Sequence, residues 1–165
     1  ILWETGINKI EEKRSLIPKY SSYFNRALDK NGYPVIKPPW GSLTALDLNN
    51  GKIIWQVPFG EYDYLKKKGF PNTGTENFGG VTATAGNIAI ATGTLDKKVY
   101  VFDSINGNIL FSKELPFIGS APPSTYLYDE KQYIILHSSG GKTLKKGYPN
   151  LVEYGNILVA FKLKE

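Results

Sequence analysis

Apolar residues in this chain occur in short runs separated by Asn, Gly and Pro, a pattern typical of β-strands joined by tight turns. Residues 43–46 and 52–55 form one pair of runs, and Asn49-Asn50-Gly51 lies between them. Since Asn and Gly adopt positive φ at little cost, the pattern predicts a β-hairpin at this point.

This hairpin is repeated once in full and once in part. An aspartate, a glycine and an aromatic position recur 56 residues later (from 47 to 103, for example): Asp47 and Asp103, Gly51 and Gly107, Trp55 and Phe111. A shorter third copy covers residues 158–163. Self-similarity at such a period indicates a solenoid or a propeller, in which each unit buries its apolar face against the next.

The segments between the copies complete the repeating unit. Residues 80–84 and 87–91 predict another hairpin, so four antiparallel strands are expected between 79 and 113. Four such strands make one propeller blade. The blade that follows has three predicted strands, at 121–126, 132–137 and 156–161. We expect its fourth strand to lie far upstream.

The predicted fold class is therefore all-β, a partial β-propeller with about three blades. We expect one unit over residues 1–165, divided into three parts. These are an incomplete blade with a long insertion at 1–60, a complete blade at 61–119 and an incomplete last blade at 120–165.

Both ends of such an arc are open. Residues 1–5 fit either the second strand of the first blade or the last strand of an earlier one, because Trp3 could correspond to Trp55. An open arc exposes a strand edge and an apolar sheet face at each end. We therefore expect self-association through the open blade edges, or a requirement for upstream blades of the same protein.

Composition agrees with a turn-rich β-protein, because 41% of the residues are hydrophobic and the chain has 17 Gly and 10 Pro. No apolar run approaches the roughly 20 residues that span a bilayer. No signal peptide is recognisable and the sequence begins in a strand-like segment, so we interpret the chain as a C-terminal piece of a larger protein. The absence of Cys excludes disulfides within the chain.

The net charge is +5, with basic clusters at 13–14, 66–68 and 145–146. Aromatic residues do not alternate with these clusters and no motif of a nucleic-acid reader is present. We therefore expect solvated loops and no nucleic-acid partner. Residues 59–69 are expected to contain a short surface helix.

Most of the chemically active side chains have a structural explanation. Asp47 and Asp103 are placed to accept N–H bonds in their turns, and Trp55 and Phe111 to wedge between neighbouring sheets. His137 is the only His and lies in an apolar run, so we expect it to be packed in a strand. The other acidic candidates show no metal-ligand spacing: Glu12, Glu61 and Glu76.

Several longer motifs resemble one protein family. PPWGSLTALDLNNGKIIW at 38–55 and TGTENFGG at 73–80 resemble the C-terminal region of pyrroloquinoline-quinone (PQQ) dehydrogenases related to membrane-bound glucose dehydrogenase. DKNGYP at 29–34 and the ending at 132–161 resemble the same family. The resemblance covers most of residues 20–165, and this combination is more specific than the repeat alone.

The resemblance implies an eight-bladed propeller that holds PQQ and a divalent cation, usually Ca²⁺, near its axis. In that family the cation polarises a quinone carbonyl, an upstream Asp takes the proton of a sugar or alcohol hydroxyl, and hydride passes to the quinone. The resemblance also implies a periplasmic location, with membrane anchoring through an N-terminal part outside this chain as an open alternative. The catalytic Asp and the metal ligands lie upstream of the matched region, so we assign no catalytic and no metal residue, and we expect this fragment alone to bind neither PQQ nor Ca²⁺.

The resemblance leaves one wall of a cofactor site as the candidate functional region. Glu76 and Asn77 are its polar candidates, and Gly79 and Gly80 would let the backbone approach a planar cofactor. Alternatively, glycine is needed at these two positions only because the inner strand that they enter is crowded. Weaker candidates lie at the rim: Trp40-Gly41 and Gly140-Gly141-Lys142.

Two classes of function fit these observations. The first is the C-terminal part of a PQQ-dependent sugar or alcohol dehydrogenase. The second is a non-enzymatic propeller that serves as a scaffold or binds protein partners. The TENFGG and KPPWG segments favour the first class, because a scaffold has no need of them, but whether the fragment itself is an enzyme stays open.

Overall fold

The computed structural model describes residues 3–10, 19–141 and 153–162, which form eleven strands and one short helix. In chain order these elements are β1 (Trp3–Ile10), β2 (Lys19–Arg26), β3 (Ser42–Asp47), β4 (Lys52–Pro58), α1 (Asp63–Lys67), β5 (Val81–Ala83), β6 (Ile88–Ala91), β7 (Lys98–Asp103), β8 (Ile109–Glu114), β9 (Ser124–Tyr128), β10 (Lys131–Ser138) and β11 (Ile157–Lys162). They pair as four antiparallel sheets: β1-β2, β3-β4, β5-β6-β7-β8 and β9-β10-β11.

The sheet β5–β8 is the four-stranded antiparallel blade that the hairpin pattern predicts between 79 and 113. Helix α1 lies inside the segment 59–69, where the sequence predicts one. The all-β partial propeller is therefore confirmed. The division of the chain into blades at 1–60, 61–119 and 120–165 stays a prediction.

The two full copies of the repeat have the same turn. The N–H of Asn49 donates to Asp47 Oδ1 at 2.9 Å, and the N–H of Ile105 donates to Asp103 Oδ1 at 2.8 Å. In each copy a glycine N–H also donates to the carbonyl oxygen of the aspartate. The two aspartates therefore close their turns, as the sequence predicts.

Trp55 joins its sheet to the next one. Its Nε1–H donates to the carbonyl oxygen of Ser104 at 3.0 Å, in the turn between β7 and β8. A Cβ on Gly107 would lie 2.8 Å from Trp55 Cε3, so the indole sits directly against this glycine. Phe111 occupies the equivalent position one sheet later and meets Phe161 edge to face at 6.4 Å. Trp55 thus lies between neighbouring sheets, as predicted, whereas Phe111 reaches the next sheet only through Phe161 and stays 47% exposed.

Separate apolar cores hold the successive sheets together. Phe59, Tyr100 and Phe102 pack between β3-β4 and β5–β8, and Ile90 and Leu136 pack between β5–β8 and β9–β11. Full burial of each such side chain stabilises the fold by about 1.5–3 kcal/mol.

The strand predicted at 121–126 begins later, at Ser124. Proline has no N–H to donate to a ladder, and Pro122 and Pro123 instead serve contacts between sheets. Pro122 packs against Gly80, and the carbonyl oxygen of Pro123 accepts from Thr82 Oγ1 at 2.5 Å.

The region predicted as a long insertion contains the hairpin β1-β2, in which Trp3 pairs with Arg26. The Arg26 guanidinium lies 4.8 Å from the centre of the Trp3 ring, and Trp3 is 42% exposed. Trp3 therefore stacks against the guanidinium of Arg26. It does not lie between two sheets, as Trp55 does. Residues 1–2 lie outside the described residues. No helix among the residues described is long and apolar enough to cross a membrane.

Candidate functional site

The connections at one end of the sheets bring the predicted site residues together. In an antiparallel sheet alternate connections lie at the same end, here 59–80, 92–97 and 115–123. Isolated bridges join Asn77 to Thr94 and Gly119 to Ser138 at this end. We call it the site end, since it contains Glu76, Asn77, Gly79 and Gly80.

Glu76 is paired with a residue that the sequence analysis did not single out. Both of its carboxylate oxygens lie 3.2 Å from Arg26 Nε, and the two side chains are only 11% and 18% exposed. Arg26 ends β2, 50 residues earlier, so no local spacing could have indicated the pair. The carboxylate of Glu76 is thus neutralised by the β1-β2 hairpin.

Asn77 attaches its segment to the end of β6. Its Nδ2 donates to the carbonyl oxygen of Thr92 at 2.7 Å, and the next N–H, of Phe78, donates to the Gly93 carbonyl at 2.9 Å. The amide group of Asn77 is therefore held in a fixed orientation at the site end.

The two glycines lie in crowded positions. A Cβ on Gly79 would lie 2.4 Å from the carbonyl oxygen of Thr92, and one on Gly80 would lie 2.5 Å from Pro122 Cγ. Packing alone therefore requires glycine at both positions, which favours the alternative interpretation of a crowded inner strand. Contact of these glycines with a cofactor stays a prediction.

Glu61 organises the segment that leads to Glu76. Its carboxylate accepts from the N–H groups of Asn72 and Thr73, each at 3.0 Å, and from Thr73 Oγ1 at 2.7 Å. Burial alone raises the pKa of Glu61, but the hydrogen bonds from Thr73 and Asn72 outweigh it, so the pKa of this carboxyl lies below its ordinary value.

Asp96, in the β6–β7 connection, holds the same segment from the other side. It accepts from the N–H of Glu61 at 3.0 Å, from Thr94 Oγ1 at 2.5 Å and from the Tyr100 hydroxyl. Burial, and then the charge of Asp96, raise the pKa of Tyr100 far above its usual range. Asp96 lies outside the repeated positions, so the sequence analysis did not identify it.

An aromatic cluster packs next to the site end. The rings of Tyr33, Trp40 and Tyr62 lie 5.2–6.1 Å apart. The N–H of Trp40 donates to the Thr73 carbonyl at 2.7 Å. Burial, followed by the charge of Glu76, raises the pKa of Tyr62 to about 12. Trp40-Gly41 therefore packs against the segment 73–76 and holds it by a backbone hydrogen bond.

The last sheet adds His137 to the site end. Its Nδ1 lies 3.2 Å from Ser120 Oγ and its Nε2 lies 3.3 Å from Asn156 Oδ1. His137 lies within β10, as predicted. The N–H of Gly140 donates to the Ile118 carbonyl at 2.8 Å, whereas Lys142 lies outside the described residues. Across the described ranges, no group of three or more His, Cys, Asp or Glu residues could hold a metal ion.

Comparison with known proteins identifies the fold and the family. Residues 5–134 match the family described as PQQ: Glucose/ethanol/alcohol dehydrogenase, beta-propeller domain. The europium-containing methanol dehydrogenase structure superposes on 98% of this chain and 29% of its own, with a TM-score of 0.64 and 19% identity. At that identity the superposition shows the propeller fold alone.

Sequence relatives agree with the family match. Quinate/shikimate dehydrogenase (quinone) of Acinetobacter baylyi is 28% identical over 168 residues, which cover 98% of this chain and 20% of that protein. Quinoprotein glucose dehydrogenase of Escherichia coli is 29% identical over 154 residues, which cover 88% of this chain and 18% of that protein. The chain thus spans about a fifth of the length of these relatives. Because the family match covers most of its residues, this chain belongs to the β-propeller family of PQQ-dependent glucose, ethanol and alcohol dehydrogenases.

Proposed function

We propose that this chain supplies blades to the propeller of a PQQ-dependent dehydrogenase that oxidises a sugar or an alcohol. The observation that carries the proposal is the position of the TENFGG segment, which the fold brings to one end of the sheets in a chain of this family. PQQ, when bound, accepts the hydride. The proton acceptor and the ligands of a Ca²⁺ ion come from upstream blades outside these 165 residues.

The residues at the site end fit one wall of a cofactor site. PQQ is planar and carries carboxylates, so amide and cationic groups suit it. Asn77 presents a fixed amide and Arg26 a guanidinium that Glu76 already orients. We propose that Asn77 contacts the cofactor directly, that Glu76 acts through Arg26, and that Gly79 and Gly80 keep the wall flat.

The relatives favour the enzyme over a scaffold. The proteins that match are named for quinate/shikimate and glucose dehydrogenase activities, so a polyhydroxylated sugar or an alcohol is the proposed class of substrate. We propose a periplasmic location for the whole enzyme, in line with the sequence resemblance. A scaffold would need no oriented polar groups at the site end.

The experiment that tests this proposal measures dye reduction in the presence of PQQ, Ca²⁺ and glucose or ethanol. We expect no reduction above the blank from residues 1–165 alone. We expect turnover when the chain replaces the segment that it matches in the Escherichia coli relative. Dehydrogenase activity of the chain alone would refute the proposal that essential groups lie elsewhere.

Cofactor retention in this chimera tests the site residues. Asn77→Ala should weaken PQQ retention about tenfold, the effect of one lost hydrogen bond of ~1.4 kcal/mol. Asn106→Ala is the matched control, because Asn106 hydrogen-bonds to Asp103 in a turn at the other end of the sheet. Equal retention by the two variants would remove Asn77 from the site.

A further inference from the structure

The last sheet brings four polar side chains together at the site end. Ser120 lies in the segment before β9, His137 and Ser139 lie at the end of β10, and Asn156 precedes β11. Ser120 and His137 are 17 residues apart, and Asn156 lies 19 residues beyond His137. No short sequence motif therefore contains the group, and the proposed cofactor wall does not use it.

The hydrogen bonds of this group run in one direction. Asn156 Oδ1 only accepts, so His137 Nε2, which lies 3.3 Å away, must carry the ring proton. The other nitrogen of a neutral imidazole accepts, so Ser120 Oγ donates to His137 Nδ1 at 3.2 Å. Because that bond uses the only hydroxyl proton of Ser120, Ser139 Oγ must donate in its 2.6 Å bond to Ser120 Oγ. The hydroxyl of Ser120 thus has a base on one side and a donor on the other.

Main-chain hydrogen bonds fix the segments that carry these side chains. The N–H of Ser120 donates to the carbonyl oxygen of His137 at 3.1 Å, and the N–H of Ser139 donates to that of Ile118 at 3.2 Å. The N–H of Gly155, just before β11, donates to the carbonyl oxygen of Ser139 at 3.0 Å. The group is therefore assembled before any ligand arrives, which is the condition for positioning reacting atoms efficiently.

A serine beside a histidine, with the second ring nitrogen held by an oxygen, is the arrangement of an activated nucleophile. We propose that Ser120 is a nucleophile toward carboxylic esters, with His137 as its base and Asn156 as the residue that positions the imidazole. Ser120 Oγ bonds to the ester carbonyl carbon while its proton passes to His137 Nδ1. The imidazolium then gives this proton to the leaving alkoxide as the ester C–O bond breaks. Water removes the acyl group from Ser120 in the same two steps.

The exposure of the group suits attack on a small molecule. Ser120 and His137 are partly exposed and Asn156 is exposed. The neighbouring Ser138, by contrast, is 0% exposed and its Oγ donates to the carbonyl oxygen of Phe117 at 2.8 Å. The proton of Ser138 is therefore committed to the main chain, which leaves Ser120 as the serine that faces a base. The inference does not depend on PQQ or on the proposed dehydrogenase activity.

An alkyl fluorophosphonate tests the nucleophile, because a serine with an adjacent base displaces its fluoride and forms an O–P bond. Labelling of the chain at nanomolar concentration prevents a second copy from covering the group. We expect a single label, located on Ser120 by peptide mass spectrometry, and no label in concentrated urea. Ser120→Ala should abolish the labelling. Ser124→Ala is the matched control and should leave the rate unchanged, because Ser124 is an exposed serine on β9.

Variants of the other two residues test the roles of base and positioning residue. His137→Gln should slow labelling at least about tenfold, the lower end of what a general base contributes. Asn156 is exposed, so its variants are expected to fold if His137→Gln does not. Asn156→Ala should slow labelling several-fold. Asn156→Asp should speed it, since a carboxylate also accepts from Nε2 and stabilises the imidazolium.

A purely structural hydrogen-bond group would not give opposite effects of Ala and Asp at residue 156. The proposal is overturned if the unmodified chain takes no label, if the label lies on Ser139 or Ser124, or if the two Asn156 variants react at the same rate. Release of p-nitrophenolate from p-nitrophenyl acetate should follow the same order of rates. Release no faster than that of Ser120→Ala would overturn esters as the class of substrate.

Discussion

Gly107 combines a backbone requirement with a packing requirement at a single residue. Its φ is +78°, in the left-handed region, and an added Cβ would lie 2.8 Å from the Trp55 ring. Gly51 has a φ of +69° in the equivalent turn, but nothing lies within 4 Å of its added Cβ. Substitutions at Gly51 and Gly107 therefore allow the cost of backbone strain to be separated from the cost of disturbing the contact between sheets.

We expect Gly51→Ala to lower the free energy of unfolding by about 1–2 kcal/mol, the cost of the left-handed conformation. Gly107→Ala should cost roughly 1–3 kcal/mol more, because the new methyl group must displace the indole of Trp55. Urea unfolding of both variants at one protein concentration measures the difference. Equal losses would show that Trp55 adjusts without cost.

The Glu61 carboxylate should make stability depend on pH. Its pKa is lower in the folded state than the ordinary value of 4.5, so its contribution is present above that value and is lost as the pH falls through the folded pKa. We expect Glu61→Gln to lower the free energy of unfolding by about 1–2 kcal/mol at pH 6. The difference in free energy of unfolding between Glu61→Gln and the unmodified chain should narrow below pH 4.5. Urea midpoints from pH 6 to pH 3 measure this difference. Glu153→Gln is the control, because Glu153 is exposed. A difference that does not change with pH would contradict the role of the Glu61 carboxylate.

At the scale of elements, the hairpins could be predicted because each is specified locally. Asp, Asn and Gly at fixed spacing define the turns after β3 and β7, and alternating apolar residues define the strands. The position of Trp55 between sheets followed from its recurrence as Phe111. Local patterns also located the Glu76–Gly80 segment, which the resemblance marked as part of a cofactor site.

Contacts between distant elements could not be predicted in the same way. The Arg26–Glu76 pair joins residues 50 positions apart, and one of them lies in a hairpin outside the repeat. Asp96 accepts a hydrogen bond from the N–H of Glu61, 35 residues earlier, which no spacing in the sequence records. The start of β9 was misplaced because Pro122 and Pro123 continue the apolar pattern while contributing no N–H to a ladder.

At the scale of the whole molecule, the sheets form an arc whose two outer faces lack a neighbour among the described residues. Leu158 on β11 is 71% exposed, and Ile53 on β4 is 58% exposed. In each case a large apolar side chain on a strand faces solvent, and extended apolar patches of this kind are rare on stable monomers. A closed propeller removes both faces by packing blade against blade.

We therefore expect residues 1–165 to self-associate at micromolar concentration, because joining open faces removes apolar surface from water. Leu158→Lys should shift sedimentation velocity profiles toward the monomer, since it places a charge on the outward face of β11. Leu48→Lys is the matched control, because Leu48 is 91% exposed in the β3–β4 turn and lies on neither face. A stable, well-folded monomer of the unmodified chain would contradict the expectation. Equal shifts from both variants would trace association to net charge rather than to the open face.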